Sequence, residues 1–166
     1  MTGAEQHRLE LSAVTVLLYL IDITNRLTKV MLKNAKYLYN LARKCKRFGI
    51  ARRVVLLYKF YKLVKTGGKW DLKNQKSWKL SKKNHFKFHG RIIASQDVGN
   101  IHFGFVGSVV FKAITLCTEA GIYQILSGTS SWSYWYSFFD DSRDTRCILL
   151  GRKYWRLLYN RKVFQW

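Results

Sequence analysis

The chain has 166 residues, of which 48% are hydrophobic and 16% aromatic. That length fits one domain, or one domain with a helical extension, and that hydrophobic content excludes an intrinsically disordered chain. Thirty Lys and Arg against nine Asp and Glu give a formal net charge of +21. The surface therefore attracts polyanions, which could be a nucleic acid, an anionic membrane or an acidic partner protein.

Residues 11–23 form the first apolar stretch. It is too short to span a bilayer, and Asp22 interrupts it. Glu5 and Glu10 precede it, where a signal peptide would carry positive charge. We therefore predict a buried or amphipathic helix here, and no targeting segment.

Two amphipathic helices are predicted next, because apolar residues recur at alternating spacings of four and three, which is one face of a helix. The first carries Met31, Ala35, Leu38, Ala42 and Cys45 on that face, and Gly49 ends it. The second carries Ile50, Val54, Leu57, Tyr61 and Val64. Gly67 and Gly68 end the second helix, as a pair of C-cap glycines would.

A β-hairpin is predicted after a polar loop over residues 69–87. Polar and aromatic residues alternate from His85 to His89, which is typical of a short half-buried strand. Gly90 with the apolar Ile92 and Ile93 predicts the partner strand.

The next segment, residues 97–107, reads DVGNIHFGFVG, and its three glycines predict tight turns in place of a regular helix. Helices are predicted from Ser108 to about Thr118, over residues 120–126, and from near Ser142 after an aromatic loop. The last helix is expected to bury Ile148, Leu149 and Trp155. The fold class is therefore mainly α, or α+β with a small hairpin, in which basic N-terminal helices pack on a helical core with glycine-rich loops.

The three cysteines, Cys45, Cys117 and Cys147, are an odd number at wide spacing. They form no CxxC pair and no cluster with histidine at zinc spacing, so neither a disulfide framework nor a zinc site is predicted. Each is expected to be a small buried apolar side chain. No cofactor and no metal ion are expected.

Four blocks carry a resemblance to a known family. They are residues 60–71, which end in Gly-Gly-Lys-Trp-Asp; residues 99–107, GNIHFGFVG; residues 120–124, AGIYQ; and residues 140–144, DDSRD, with Gly151 downstream. In this order, over about residues 58–155, they resemble the bacterial polymorphic toxin type 44 domain. Ser142 departs from the family, which tends to have proline there, and so does the basic pair Arg152 and Lys153.

The resemblance implies a toxin domain over residues 58–166, preceded by a helical N-terminal extension, residues 1–57, in one continuous globular unit. It implies a bacterial effector that is secreted or delivered and acts in the cytoplasm of a target cell; the family is usually described as predicted ribonucleases. It also implies an immunity protein in the producing cell. We expect that partner to be acidic, because the toxin carries a charge of +21.

His102 is the first candidate catalytic residue. It lies between glycines, so we expect its ring to point from a turn into a cleft. Metal-independent RNA cleavage needs a base for the 2′-hydroxyl proton and an acid for the leaving 5′-oxygen, and an imidazole can be either at neutral pH. The alternative is a structural histidine bonded to backbone.

Asp140, Asp141 and Asp144 place a third of the acidic residues within five positions. They could orient a catalytic histidine or cradle a metal ion, or Asp141 and Asp144 could cap the last helix. Gln124 is a further candidate catalytic residue, since it is polar among apolar neighbours, and it could instead satisfy buried backbone groups.

Asn100 is a candidate substrate-binding residue that could bind a phosphate or carbonyl, or could instead satisfy buried backbone groups. Arg143, or a lysine, could stabilise the charged transition state. His85, Lys87 and His89 could form a phosphate-facing surface, and solvated strand positions are the alternative.

These residues predict a ribonuclease toxin that docks RNA on a basic face, with Trp70 stacking on an unpaired base unless it lies in the core. Carboxylates are scarce outside residues 140–144, which argues against a two-metal nuclease. An envelope-directed toxin, acting on the membrane or on cell-wall material, is the alternative, since cationic amphipathic helices suit an anionic bilayer surface. A non-catalytic nucleic-acid binder is the third.

Overall fold

The structure is a computed structural model and describes residues 20–75, 85–113, 116 and 142–159. In these ranges the chain is mainly α with one small antiparallel hairpin, as predicted. The helices are α1 (Thr24–Lys44), α2 (Arg52–Val64), α3 (Ser95–Gly107) and α4 (Ser142–Tyr159), and the strands are β1 (His85–Phe88) and β2 (Arg91–Ala94). Two 3-10 segments, Cys45–Ala51 and Leu72–Asn74, lie between α1 and α2 and after α2.

The buried face of α1 is the one that its periodicity predicts. These residues are at most 4% exposed: Met31, Ala35, Leu38, Ala42 and, just after the helix, Cys45. Residues at this spacing form one stripe along a helix, and burying that stripe is what stabilises α1. Gly49 has a φ of 52°, which residues with a Cβ rarely adopt, and it turns the chain before α2 begins.

The buried face of α2 differs from the predicted one. Leu57 is buried as expected, but Val54 is 45% exposed, and Leu56 and Phe60 are buried instead. The helix is thus rotated about its axis relative to the prediction. This rotation places Phe60 against α3, where its ring stacks with that of Phe103 with centroids 5.1 Å apart. The helix ends at Val64, shortly before the predicted glycine pair.

The hairpin has the predicted strands and a two-residue turn. The strands pair antiparallel, from His85 opposite Ala94 to Phe88 opposite Arg91. His89 (φ 48°) and Gly90 (φ 73°) both have positive φ, as a type I′ turn requires. Phe86 and Phe88 are buried, so the predicted alternation is confirmed.

The residues just before α1 pair with strand β1. Asp22 forms a parallel bridge with Lys87 of β1, and the Ile23 N–H donates to the Lys87 carbonyl oxygen at 3.0 Å. Pairing with the strand satisfies backbone groups that a helix would pair internally. The helix predicted over residues 11–23 is therefore wrong at its C-terminal end, and its residues 11–19 lie outside the described ranges.

The glycine-rich segment is a helix, so the predicted series of turns is wrong. α3 includes Gly99 and Gly104 within its length. A Cβ added to Gly104 would lie 2.7 Å from the Ile148 carbonyl carbon of α4, and one added to Gly151 would lie 2.8 Å from the Phe105 nitrogen of α3. At each of these points a glycine of one helix lets the backbone of the other helix come into contact with it.

Ser108 ends α3, so the helix predicted to start there is wrong at that residue. Ser108 is the C-cap, and its Oγ donates to the Gly104 carbonyl oxygen at 2.6 Å. The helix predicted over residues 120–126 and the aromatic loop after it lie outside the described residues.

The last helix, α4, begins at the predicted Ser142. Ile148 and Trp155 are buried as expected, but Leu149 is 44% exposed, so its predicted burial is wrong. Neighbouring helical residues point about 100° apart, so burial of Ile148 turns Leu149 toward solvent. In the described part of the chain, no helix is long and apolar enough to cross a membrane.

The core is formed by all four helices, with buried side chains of the hairpin, and the basic N-terminal helices pack on the helical core as predicted. Two of the cysteines can be described, and both are free thiols: Cys45 is buried as expected, whereas Cys147 is only partly buried. Cys117 lies outside the described residues.

Candidate functional site at the α3–α4 junction

A buried carboxylate joins the N-terminal ends of α3 and α4. Asp97 is 6% exposed, and its oxygens accept from Arg143 Nε at 2.9 Å and Nη2 at 3.0 Å. Asp97 Oδ2 also accepts the Ala94 N–H at 2.9 Å, which satisfies a backbone donor at the start of α3. The bidentate geometry is the strongest form of a carboxylate–guanidinium contact. It holds Arg143 in place while 40% of that side chain remains exposed.

A second polar pair lies three residues further along α3. Asn100 Nδ2 donates to Asp144 Oδ1 at 2.7 Å. Asp97 and Asn100 share one face of α3 because residues three apart are neighbours on a helix. The structure thus brings together three predicted site residues and adds one. We call Asp97, Asn100, Arg143 and Asp144 the junction cluster.

Asp97 was not among the predicted site residues. The glycines that follow it predicted turns, in which aspartate is a common residue, so Asp97 was not singled out. In the helix it is the third residue after Ala94, the N-cap residue. An acidic side chain at this position accepts a hydrogen bond from the N-cap backbone N–H. That capping pattern was the signal that could have found it.

Cys147 contacts the cluster but is not an activated thiol. Burial raises the pKa of Cys147 to about 12, with further contributions from the charge of Asp97 and a hydrogen bond to it. The thiolate is the reactive form of cysteine, so this side chain stays protonated and unreactive at neutral pH.

His102 lies in the core, on the opposite side of α3 from the junction cluster. It is 1% exposed and within the helix, so its predicted place in a turn beside a cleft is wrong. Asn34 of α1 places Nδ2 2.9 Å from His102 Nε2, and the Trp70 ring meets the imidazole edge-on at 5.9 Å. An amide donor on Nε2 requires the ring proton to sit on Nδ1. Burial lowers the pKa of His102 to about 3, so the ring is neutral at pH 7.

Because His102 is buried and neutral, we predict that the protein becomes less stable as the pH decreases. The unfolded state binds a proton on His102 below a pH of about 6.5, and the folded state resists that proton until about pH 3. Between these values the free energy of unfolding should decrease by about 1.4 kcal/mol for each unit by which the pH is lowered. Urea unfolding between pH 7 and about pH 5 measures it, above the range in which most carboxylates titrate.

His102→Gln is the control for this pH dependence. Glutamine keeps an acceptor for Asn34 but does not titrate, so its stability should be nearly flat over the same range. A variant that loses stability as steeply as the parent would show that another group is responsible.

Trp70 is a core residue in this structure. It is 5% exposed, and its ring contacts those of Tyr37, Phe60 and His102. The adjacent Asp71 accepts from the Gly67 N–H at 2.9 Å and from Asn74 Nδ2 at 2.6 Å. The Gly-Gly-Lys-Trp-Asp block therefore closes the turn after α2. Stacking of Trp70 on a base would require its ring to leave this packing.

The predicted hairpin residues form a separate surface. His85 is exposed and Lys87 partly exposed. His89 stacks on Tyr154 of α4 with ring centroids 4.5 Å apart, eleven residues from Arg143 and therefore roughly 16 Å along the helix. Burial lowers the pKa of His89 below its ordinary value, and the charge of Asp22 opposes that change.

Three other candidate catalytic residues, Asp140, Asp141 and Gln124, lie outside the described ranges. Among the residues that the structure does describe, no group of three or more His, Cys, Asp or Glu side chains is placed to hold a metal ion.

Comparison with known proteins identifies the family. Residues 59–156, more than half of the chain, match the family model described as bacterial toxin 44. The chain belongs to the bacterial toxin 44 family. No curated protein and no solved structure matches it.

Membership in the bacterial toxin 44 family confirms the resemblance seen in the sequence. The chain is a bacterial toxin domain, of the kind that is secreted or delivered as an effector. The match includes the whole junction cluster, His102 and Trp70, whereas Asn34, the partner of His102, precedes it. The predicted boundary between the N-terminal extension and the toxin domain, at residues 57 and 58, falls within α2 and stays a prediction.

Proposed function

We propose that this toxin domain cleaves RNA by acid–base chemistry at the junction cluster. One observation supports this above the others. Asp144 and Arg143 lie side by side at the start of α4, on a chain with a net charge of +21. That charge attracts a polyanionic substrate. A carboxylate and a guanidinium at one place supply a proton acceptor and a group that stabilises negative charge.

In this proposal Asp144 accepts the proton of the 2′-hydroxyl group. Its carboxylate is oriented by the 2.7 Å hydrogen bond from Asn100. Arg143, oriented by Asp97, stabilises the charge on the phosphate as the 2′-oxygen attacks phosphorus and the bond to the 5′-oxygen breaks. The leaving 5′-oxygen takes its proton from a second group.

The second group is to be sought among Asp140, Asp141 and His102. Gln124 has an amide, which can donate a hydrogen bond to the leaving oxygen but cannot transfer a proton to it. His102 can contact RNA only if its ring leaves the core, because it is 1% exposed and on the far side of α3 from the cluster. We also propose that the cognate immunity protein is acidic, since a charge of +21 favours such a partner.

Asp144→Asn tests the proposed base. Asparagine keeps an oxygen that accepts from Asn100 and removes the proton-accepting carboxylate. We expect single-turnover cleavage of labelled RNA to fall by about 10²- to 10⁴-fold, the usual contribution of general acid–base catalysis. The thermal midpoint should change little.

Asp22→Asn is the matched control, since it removes the same charge from an exposed carboxylate that lies before the family match. It should cleave at the parental rate. An Asp144→Asn variant as fast as the parent would remove Asp144 from the mechanism.

Expression in two compartments tests the substrate class. The chain would be produced in the cytoplasm and, separately, with an export signal, while cell growth and RNA integrity are followed. Growth arrest with RNA loss in the cytoplasm supports the proposal. Intact RNA, with killing only after export, would overturn it in favour of an envelope-directed toxin.

A further inference from the structure

A basic groove of about 620 Å³ lies near the end of α3 opposite the junction cluster. It is formed by the end of α1, the 3-10 segment, the start of α2 and the residues after α3. Five cationic side chains line it: Arg43, Lys46, Arg52, Arg53 and Lys112. No Asp or Glu is among its described lining residues. We call it the basic groove.

The groove follows from the local sequence. Between Ile23 and Trp70 there are fourteen Lys and Arg and no Asp or Glu. The turn at Gly49 folds the chain so that cations of α1 and of α2 line one opening. The first turn of α2 contains no acidic residue, so its backbone N–H groups add to the positive potential.

The lining of the groove is partly apolar. The half-buried Val109 and Val110 line it, above the buried Leu56, Phe111 and Ala42. A further cation, Arg152 of α4, donates from Nη1 to the Phe111 carbonyl oxygen at 3.5 Å. Apolar contacts with cations around them suit a ligand that has both sugar rings and phosphates, more than they suit a small hydrated anion.

We infer that the basic groove binds the phosphate backbone of single-stranded RNA, as a docking site separate from the junction cluster. This rests on the proposed function, because it takes RNA to be the substrate. Five like charges at one opening repel one another, and a polyanion relieves that repulsion. The concave shape surrounds a flexible strand, whereas a flat bilayer would reach only the rim.

The position of the groove separates docking from chemistry. Asp97 and Gly107 lie ten residues apart on α3, which is about 15 Å along the helix. Most of the lining, from Tyr39 to Leu56, precedes the family match at residues 59–156. The N-terminal helices thus supply most of the docking site, and the toxin core supplies the junction cluster and the remaining groove residues, among them Lys112.

The test is binding of a fluorescent 2′-O-methyl RNA oligonucleotide, which lacks the 2′-hydroxyl nucleophile, measured by anisotropy at several salt concentrations. Lys46→Gln/Lys112→Gln removes two groove cations, both exposed. We expect affinity to fall about 10-fold. The slope of the logarithm of the association constant against log salt should become less negative by about 1.4, or roughly 0.7 for each lost phosphate contact.

Lys29→Gln/Lys33→Gln is the matched control, since it removes two exposed lysines of α1 outside the groove. It should weaken binding less than about 3-fold if binding depends on the groove rather than on net charge. Equal losses in the two double variants would overturn the inference. So would a groove variant that loses binding to vesicles of anionic lipid while its RNA binding is unchanged.

Cleavage of unmodified RNA separates this inference from the proposed function. If the parent cleaves RNA and the groove variant binds like the control, the groove inference fails and the ribonuclease proposal stands. If the parent never cleaves RNA but binds the uncleavable strand through the groove, the ribonuclease proposal fails and the docking site stands.

Discussion

Replacement of Gly104 by alanine should destabilise the toxin domain by about 3 kcal/mol or more, a large part of the stability of an ordinary domain. The added Cβ would lie 2.7 Å from the Ile148 carbonyl carbon and 2.8 Å from its Cα, both backbone atoms of α4. Backbone cannot swing aside as a side chain can, so α4 must move away from α3. Both polar pairs of the junction cluster cross this interface, so RNA cleavage should fall as well.

Gly99→Ala is the matched control, because Gly99 lies in the same helix and its added Cβ would meet nothing within 4 Å. Alanine is favoured over glycine in a helix, so this variant should gain about 0.5–1 kcal/mol. Urea unfolding followed by circular dichroism measures both variants. Similar stability of the two would contradict the close approach of α3 and α4.

The second large effect is expected for His102→Ala, with a loss of about 2–4 kcal/mol in the free energy of unfolding. Removing the imidazole leaves a cavity beside Trp70, and it leaves the Asn34 amide without its partner in a site where Asn34 is 8% exposed. A buried polar group that loses its hydrogen bond incurs the full penalty of its desolvation. Chemical unfolding at pH 7 measures the loss.

His102→Gln separates packing from chemistry. It keeps an acceptor for Asn34, so it should recover much of the lost stability. If His102 acts directly on RNA, this folded variant should still cleave about 10²- to 10⁴-fold more slowly. If the role is structural, stability and cleavage should recover together. An alanine variant as stable as the parent would contradict the buried Asn34–His102 contact itself.

Features that depend on neighbours along the chain could be predicted from the sequence. The buried stripe of α1 from Met31 to Cys45, the two strands of the hairpin and the start of α4 at Ser142 all follow from local patterns. The reason is that periodicity, turn conformation and capping each involve only a few consecutive residues. The four blocks that resemble the toxin family are also short, and they identified it correctly.

Only the tertiary structure decided what the glycines and His102 do. Gly104 was predicted to lie in a turn and Gly151 in a helix, but each makes room for the backbone of the other helix about 45 residues away. His102 is buried because Asn34 and Trp70, remote in sequence, enclose it. The charge of +21 was evident from composition, but the concentration of five cations in one groove depends on how α1 and α2 meet α3. A contact between distant segments leaves no periodic trace in either one, so no local pattern could have revealed it.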